Sequence, residues 1–404
     1  MSAPQWSRDR VRDVAAGAAA GILLTSLVAA LVAALAWPET SRTGADQGGA
    51  PPAVSVPPAP TTDPTPVPAA TEPTATPEEV EEEDGGEPSE APVLPNAAPA
   101  GTGPLPETDR VDCPPATTTV SSAEELEAAL DDAAPGDSIA LAEGTYSGEF
   151  VASASGTEAD PIFLCGPADA VLDGGDVEGG YTFHLDGATH WRLVGFTVSG
   201  GQKGVMADGT VGSVIQGLTV TGTGDEAIHL RSHSTDNAVL DNTIRETGLR
   251  NEEYGEGVYI GSAVSNWCTY TGCEADRSDR NVIDGNTISK TTSEAIDLKE
   301  GTTGGVVSGN TFDGSSLSGA DSWVDVKGNN YLIEGNTGTH ATEDGFQTHQ
   351  ILDGWGDHNV FTGNHADVQG PGHAIASWPE ESNVVRCDNT FTDAGEGLSN
   401  IPCG

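Results

Sequence analysis

The chain has 404 residues, with 16 basic against 62 acidic side chains and a formal net charge of −46. A nucleic-acid binder needs basic groups to displace counterions from phosphate, so this balance excludes that class. Fifty-two glycines and few aromatics suit many tight turns better than long helices.

The acidity has two readings, solubility at high salt or a divalent cation bound on an acidic face. An anionic polymer is admissible only where a metal and a local group of Lys and Arg reverse the sign of the field.

Residues 1–13 form a basic N-terminus containing Arg8, Arg10 and Arg12. Residues 14–37 follow as an uncharged run, long enough to cross a bilayer of roughly 30 Å. The basic flank places the rest of the chain outside the cell. Ala34-Leu35-Ala36 is similar to a cleavage site, so a retained anchor and a removed signal both stay open. An extracellular monomer is expected, touching a membrane through this segment only.

Residues 38–108 are a disordered acidic linker. They hold 17 of the 26 prolines and the acidic run Glu78–Glu83, and cannot bury enough apolar surface to offset ordering. Proline stiffness and like-charge repulsion make the linker a semi-extended stalk. The globular part is residues 109–404. Behind an export segment, six cysteines point to disulfides. Neighbouring pairs suggest Cys268–Cys273 and Cys387–Cys403, leaving Cys113 with Cys165.

Ser121–Ala133 reads as a short amphipathic helix, with Ser122 and Glu125 in a capping-box pattern and Leu126, Ala129, Leu130 and Ala133 on one face. Such a helix commonly caps the first core layer of a repeat array. Ser138–Leu141 and Ile162–Leu164 read as the first strands. Then Gly or Asp followed by Asn, in five of six cases with Thr after it, recurs at Asn242, Asn286, Asn310, Asn336, Asn364 and Asn389. The gaps are 44, 24, 26, 28 and 25 residues; the first is one period plus an insertion within 248–280. Short strands at this period fit one coil of a parallel β-helix per repeat. The asparagines are read as structural, bridging neighbours along the stack.

The words E-A-I-H-L-R, E-G-V-Y-I-G, E-A-I-D-L-K and W-V-D-V-K begin at Glu226, Glu256, Glu294 and Trp323. With Ile228, Val258, Ile296, Val324, Phe346 and Ile375 inward, equivalent residues stack about 4.8 Å apart. Two positions earlier stand Glu226, Glu256, Glu294, Ser322, Asp344 and His373. One position later stand His229, Tyr259, Asp297, Asp325, Gln347 and Ala376. Three positions later stand Arg231, Gly261, Lys299, Lys327, His349 and Trp378.

Carboxylates on successive rungs repel, so either they fan out into water or a hard cation such as Ca²⁺ sits among them. Glu256 and Glu294 are the expected ligands, with Glu226 or Asp297 in support. The scarce basic residues Arg231, Lys299 and Lys327 share a column and are the catalytic candidates. A lysine beside another cation loses preference for its ammonium form and approaches use as a base; the alternative is that Lys299 and Lys327 only pair with Asp297, Glu300 and Asp325.

Substrate contacts are expected from His229, Tyr259, Asp325 and His349. The insertion would form one wall of a sugar groove, with Trp267 and Tyr270 beside the Cys268–Cys273 clasp. Trp323 and Trp378 could stack on sugars.

From Cys113 to Gly404 the chain resembles the secreted right-handed parallel β-helix proteins of the pectate-lyase-like superfamily. P-G-D-S-I-A-L-A-E-G-T-Y-S-G at Pro135–Gly148 is similar to the first coil of many of them. The E-x-x-x-x-K spacing of Glu294–Lys299 is similar to the alginate lyase and chondroitinase B family. That resemblance implies an all-β, single-stranded right-handed parallel β-helix. It further implies Glu294 as a Ca²⁺ ligand and Lys299 as the base that takes the proton beside a uronate carboxylate. The family's acid is an Arg about one coil further on; here Lys327 takes the nearest column position, and no Arg follows until Arg386.

The expected reaction is Ca²⁺-dependent β-elimination on a uronate-containing polysaccharide. Two other classes remain: a glycoside hydrolase using Asp297 and Asp325 as its carboxylate pair, and a non-catalytic carbohydrate-binding envelope protein.

Overall fold

The computed structural model describes residues 104–380 and 382–404. The basic N-terminus, the apolar run and nearly all of the linker lie outside them. Among the described residues no helix is long and apolar enough to cross a membrane.

From Thr118 the chain winds through short strands that stack into three parallel sheets of 11, 10 and 10 strands. Each strand pairs with the equivalent strand one coil away, which builds a β-solenoid of about ten turns. In the sheet that matters for function, Phe150, Phe183, Val205, Ile228, Val258, Ile296, Val324, Phe346 and Ile375 fall in register and point inward. All nine are essentially inaccessible. This stack buries apolar surface worth about 1.5–3 kcal/mol for each fully covered large side chain.

The short helix spans Ala123–Asp131, with Ser122 Oγ accepting from the Glu125 amide at 3.2 Å. The reciprocal half of the capping pattern comes from Ser121, whose amide donates to the Glu125 carboxylate at 2.7 Å. Leu126 and Leu130 enter the same core as the first coils. Disulfides join Cys113–Cys165, Cys268–Cys273 and Cys387–Cys403.

The asparagines form a buried ladder. Asn336 Oδ1 accepts from both the amide and the Nδ2 of Asn310, and Asn336 in turn donates from both nitrogens to Asn364 Oδ1, all at 3.0 Å. Its Nδ2 also reaches the Val307 carbonyl at 2.9 Å. Before five of the six asparagines the residue sits in the left-handed region, at φ 52° for Asp241, 71° for Gly285 and 63° for Gly335, which suits Gly and Asp there.

Trp323 corrects a sequence expectation. It is fully buried and cannot stack on a sugar. It occupies the corner just before the inward residue, a column that otherwise reads Ala227, Gly257, Ala295, Gly345 and Ala374. Its ring fills space left by glycine: a Cβ on Gly338 would lie 2.3 Å from it. Its Nε1 donates to the His340 carbonyl at 3.0 Å.

Replacing Asn336 with Ala removes a two-way link inside the core and leaves the Asn310 amide unpaired. The expected loss is about 1–3 kcal/mol, read as a lower urea midpoint; an unchanged midpoint would mean that the ladder only accompanies the turn.

Candidate active site

The three columns expected from sequence lie together on one sheet. Register pairs His184, Met206, His229, Tyr259, Asp297, Asp325, Gln347 and Ala376 in a single line. Over its upstream half opens a cleft of about 590 Å³, lined by Tyr181, Lys203, Glu226, His229, Arg231, Glu256, Tyr259, Tyr270 and Lys299 among others. The insertion supplies one wall through Ser262, Ala263, Ser265, Asn266 and Tyr270.

At the upstream end Arg231 pairs with Asp208 at 2.7 Å, and its guanidinium lies 3.8 Å from the centre of the Tyr270 ring. Lys203 pairs with Glu226. Burial opposes ionisation of Glu226, but His229 and Lys203 hold it below the usual carboxylate range. His229 is buried, which favours its neutral form. Its Nε2 is 2.9 Å from the Gly261 carbonyl and its Nδ1 is 3.3 Å from Glu226; both neighbours accept, so a neutral ring can donate to only one of them. The His229 ring stands edge-on to Tyr259, centroids 4.3 Å apart.

Below the cleft floor lies a chain of ion pairs. Lys299 Nζ is 2.5 Å from Asp297 and 4.9 Å from the centre of the Tyr259 ring. Lys327 Nζ lies 2.8 Å from Asp297, 2.8 Å from Asp325 and 3.8 Å from Glu294. His349 Nδ1 reaches the same Asp325 oxygen at 3.0 Å.

Burial opposes the charge of Lys327, yet Asp297, Asp325 and Glu294 hold its pKa well above the lysine range. Burial likewise opposes ionisation of Asp325, but Lys327 and His349 keep it below the carboxylate range. Lys327 is therefore an internal counter-ion, not the acid expected from sequence. Asp325 is buried beneath it rather than facing substrate. Asp297 and Asp325 grip one ammonium, so neither is placed as the acid of a glycosidase pair.

Glu256, Glu294 and Asp297 each offer an oxygen, all within 4.8 Å of one another. Burial, then Glu226, Asp297 and Glu294, push the Glu256 carboxyl well above its usual range. Burial and Asp297 also raise Glu294. Glu256 Oε2 is buried without a hydrogen-bond partner among the described residues. Five carboxylates (Glu226, Glu256, Glu294, Asp297 and Asp325) meet three ammonium groups (Lys203, Lys299 and Lys327), which leaves two negative charges uncovered. Two protons or one divalent cation restore the balance, and an unpaired oxygen on a three-carboxylate group fits the cation. Glu226 stands outside this group, paired with Lys203 and facing His229.

Trp267 is buried in the insertion, with Nε1 donating to the Ser262 carbonyl at 2.9 Å, and does not line the cleft. Tyr270 lines the cleft in the wall where sequence placed it, whereas sequence reading missed Tyr181, Lys203, Asp208 and Arg250. The first three were accessible to it: Y-T-F-H-L-D at Tyr181–Asp186 and K-G-V-M-A-D at Lys203–Asp208 extend the same columns upstream. Arg250 belongs to a loop with no repeat to align.

The family described as right handed beta helix region matches residues 260–401. No curated protein matches in sequence. Among solved structures, the alginate lyase from Paenibacillus sp. str. FPU-7 aligns at 35% identity and TM-score 0.67, covering 72% of this chain and 100% of that one. Pectate lyase Pel9A aligns at 12% identity and TM-score 0.47, covering 69% and 78%. A rhamnogalacturonan lyase gives the same identity and score, covering 67% and 80%.

Lys327→Met strands buried carboxylates and is expected to cost about 3–5 kcal/mol near neutral pH. Lys327 has a raised pKa, so its contribution is complete below the ordinary lysine value of about 10.4 and fades as pH climbs past its own value. Asp325 has a lowered pKa, so its contribution is complete above about 3.9 and fades as pH falls further. Denaturation midpoints of parent and variant should therefore differ most between these limits and converge in acid. A gap independent of pH would contradict the counter-ion role.

Proposed function

The chain belongs to the right-handed β-helix family of the Paenibacillus alginate lyase, and we propose from that membership that it cleaves a uronate-containing polysaccharide by β-elimination. The observation that carries this reading is the meeting of Lys299 and Tyr259 above the three-carboxylate group. Elimination needs one group to take the proton beside the uronate carboxylate and another to protonate the departing glycosidic oxygen.

Lys299 is ion-paired to Asp297, so it has a proton to give and no lone pair to take one. We assign it the acid role in place of the base role that the family spacing implied. The base must then face the cleft with a free acceptor. His229 is directed away, Nε2 to a carbonyl and Nδ1 to Glu226. Tyr259 remains: its hydroxyl has no hydrogen-bond partner among the described residues, and its ring lines the cleft.

Burial, then Asp297, Glu256 and Glu226, push the Tyr259 phenol well above its usual range, so the resting group is neutral. Glu256, Glu294 and Asp297 would hold a divalent cation such as Ca²⁺, which would neutralise the substrate carboxylate and offset those same negative charges. The Tyr259 phenol must first give up its own proton to solvent; the phenolate then takes the C5 proton, the C4–C5 double bond forms as the C4–O bond breaks, and Lys299 protonates the leaving oxygen.

Lys203, Arg231, Arg250 and Lys299 bring four of the chain's 16 basic residues into one cleft, which admits an anionic polymer that the overall charge would repel. Three disulfides suit an oxidising extracellular setting, where such polymers lie. The cleft is complete within one chain, consistent with a monomer.

Lys299→Ala and Tyr259→Phe are each expected to lower formation of unsaturated product from alginate by about 10²–10⁴-fold. Full activity in either variant would remove that residue from the mechanism. Reducing ends without ultraviolet-absorbing product would make the protein a hydrolase. In a separate test, Ca²⁺ should raise the thermal midpoint of the parent and leave Glu256→Gln unmoved; an equal rise in both would place the cation elsewhere.

A further inference from the structure

We propose that His349 and Trp378 form a carbohydrate subsite beyond Lys299, which takes an anionic sugar on the side of the scissile bond opposite the cleft. The proposal rests on the lyase reading in one respect, that Lys299 marks the point of cleavage.

Register places the two residues. Leu298, Val326, Thr348 and Ser377 pair rung to rung, so Lys299, Lys327, His349 and Trp378 follow one another along a column. Lys327 turns down into the carboxylates. The next groups offered to a polymer on this line are therefore His349 and then Trp378, about 10 and 14 Å from the rung of Lys299 at the spacing of parallel strands. The cleft occupies only the rungs on the other side, from Tyr181 to Lys299.

Both side chains are held from behind and open in front. Asp325 Oδ2 accepts a hydrogen bond from His349 Nδ1 at 3.0 Å, while Asp325 Oδ1 is buried without a partner among the described residues. This fixes the imidazole and leaves Nε2 without a hydrogen bond among the described residues. The Trp378 amide donates to the Thr348 carbonyl at 3.2 Å and to its Oγ1 at 2.9 Å, so the backbone beneath the indole is pinned.

Trp378 is 47% exposed, whereas Trp191, Trp267, Trp323 and Trp355 are each 8% or less. A single exposed apolar side chain needs no explanation. An indole one rung from a carboxylate-backed imidazole is a different case, because together they match the two faces of a uronate. The indole covers the apolar C–H face of the ring, and the imidazolium pairs with the carboxylate.

The charged groups facing His349 are Asp325, Lys327 and Asp321, and Asp321 also accepts from Gln347 at 2.5 Å. Burial and Lys327 work against a charged imidazole; Asp325 outweighs them and raises the pKa of His349. The attraction for an anion is thus present at low pH and is lost as pH rises through that raised value.

The test uses sodium alginate and its short oligomers with the full chain. Trp378→Ala and His349→Ala are each expected to raise KM for the polymer about tenfold with kcat within about twofold, and to leave cleavage of the shortest oligomers unchanged. His349→Lys should restore the affinity and abolish its loss on raising the pH. Alginate should shift the tryptophan emission of inactive Lys299→Ala, and this shift should vanish in Lys299→Ala/Trp378→Phe.

Polymer KM unchanged in both alanine variants, with thermal midpoints equal to the parent's, would overturn the subsite while leaving the lyase reading intact. A parent that neither binds nor cleaves alginate or polygalacturonate would overturn both.

Discussion

Everything in this molecule depends on strict registration between coils. Each short strand contributes only a few backbone hydrogen bonds, and the stack is held in phase by the buried asparagine ladder and by inward side chains that meet their equivalents one coil away. A slip of one residue would exchange the two faces of every strand. Because the phase holds, residues separated by 24 to 44 positions become neighbours, as the hydrogen-bonded pairs Asn286–Asn310 and Asn242–Asn286 show. The candidate site is a consequence of that arithmetic: it is written across five coils and belongs to none of them.

Registration also creates the electrostatic problem that gives the site its character. Columns put like charges on adjacent rungs, where partial burial makes repulsion costly. The chain answers with alternation. Lys203 sits before Glu226, and Lys327 is inserted beneath Asp297, Asp325 and Glu294. Lys299 completes the row at the surface, beside Tyr259. One position, Glu256, has an oxygen that is buried without a hydrogen-bond partner among the described residues. A network that is nearly satisfied, with its deficit concentrated at the foot of a cleft, is what a site that accepts a cation together with an anionic substrate requires.

The sequence carried the periodic part of this well. Repeats beginning at Glu226, Glu256 and Glu294 set both the coil and the columns, since a parallel solenoid translates spacing directly into proximity. The cysteine pairs were equally legible because two of them are near neighbours in the chain. Direction within a column was not. Whether Lys327 reaches up to substrate or down to Asp325 depends on which carboxylates surround it in three dimensions, and spacing is silent on that. Trp323 was misread because alternation fails at the corner before the strand, where Trp323 and Val324 are both inward. The surrounding Ala and Gly at equivalent corners were the available signal. Arg250 comes from a non-repeating loop, for which the columns give no coordinates.

The overall charge then takes on a different meaning from the one composition suggests. A chain at −46 is expected to repel a polyuronate over most of its surface. Screening confines each surface charge to roughly 8–10 Å at physiological ionic strength, so a bound polymer senses mainly the side chains lining its own track. Along that track Arg231 and Lys299 face it within the cleft, Lys327 neutralises the carboxylates underneath, and His349 lies beyond. On the proposed reading the acidic exterior and the locally compensated groove therefore do not conflict: the exterior would disfavour adsorption of an anionic chain elsewhere and leave the groove as the place where it can settle.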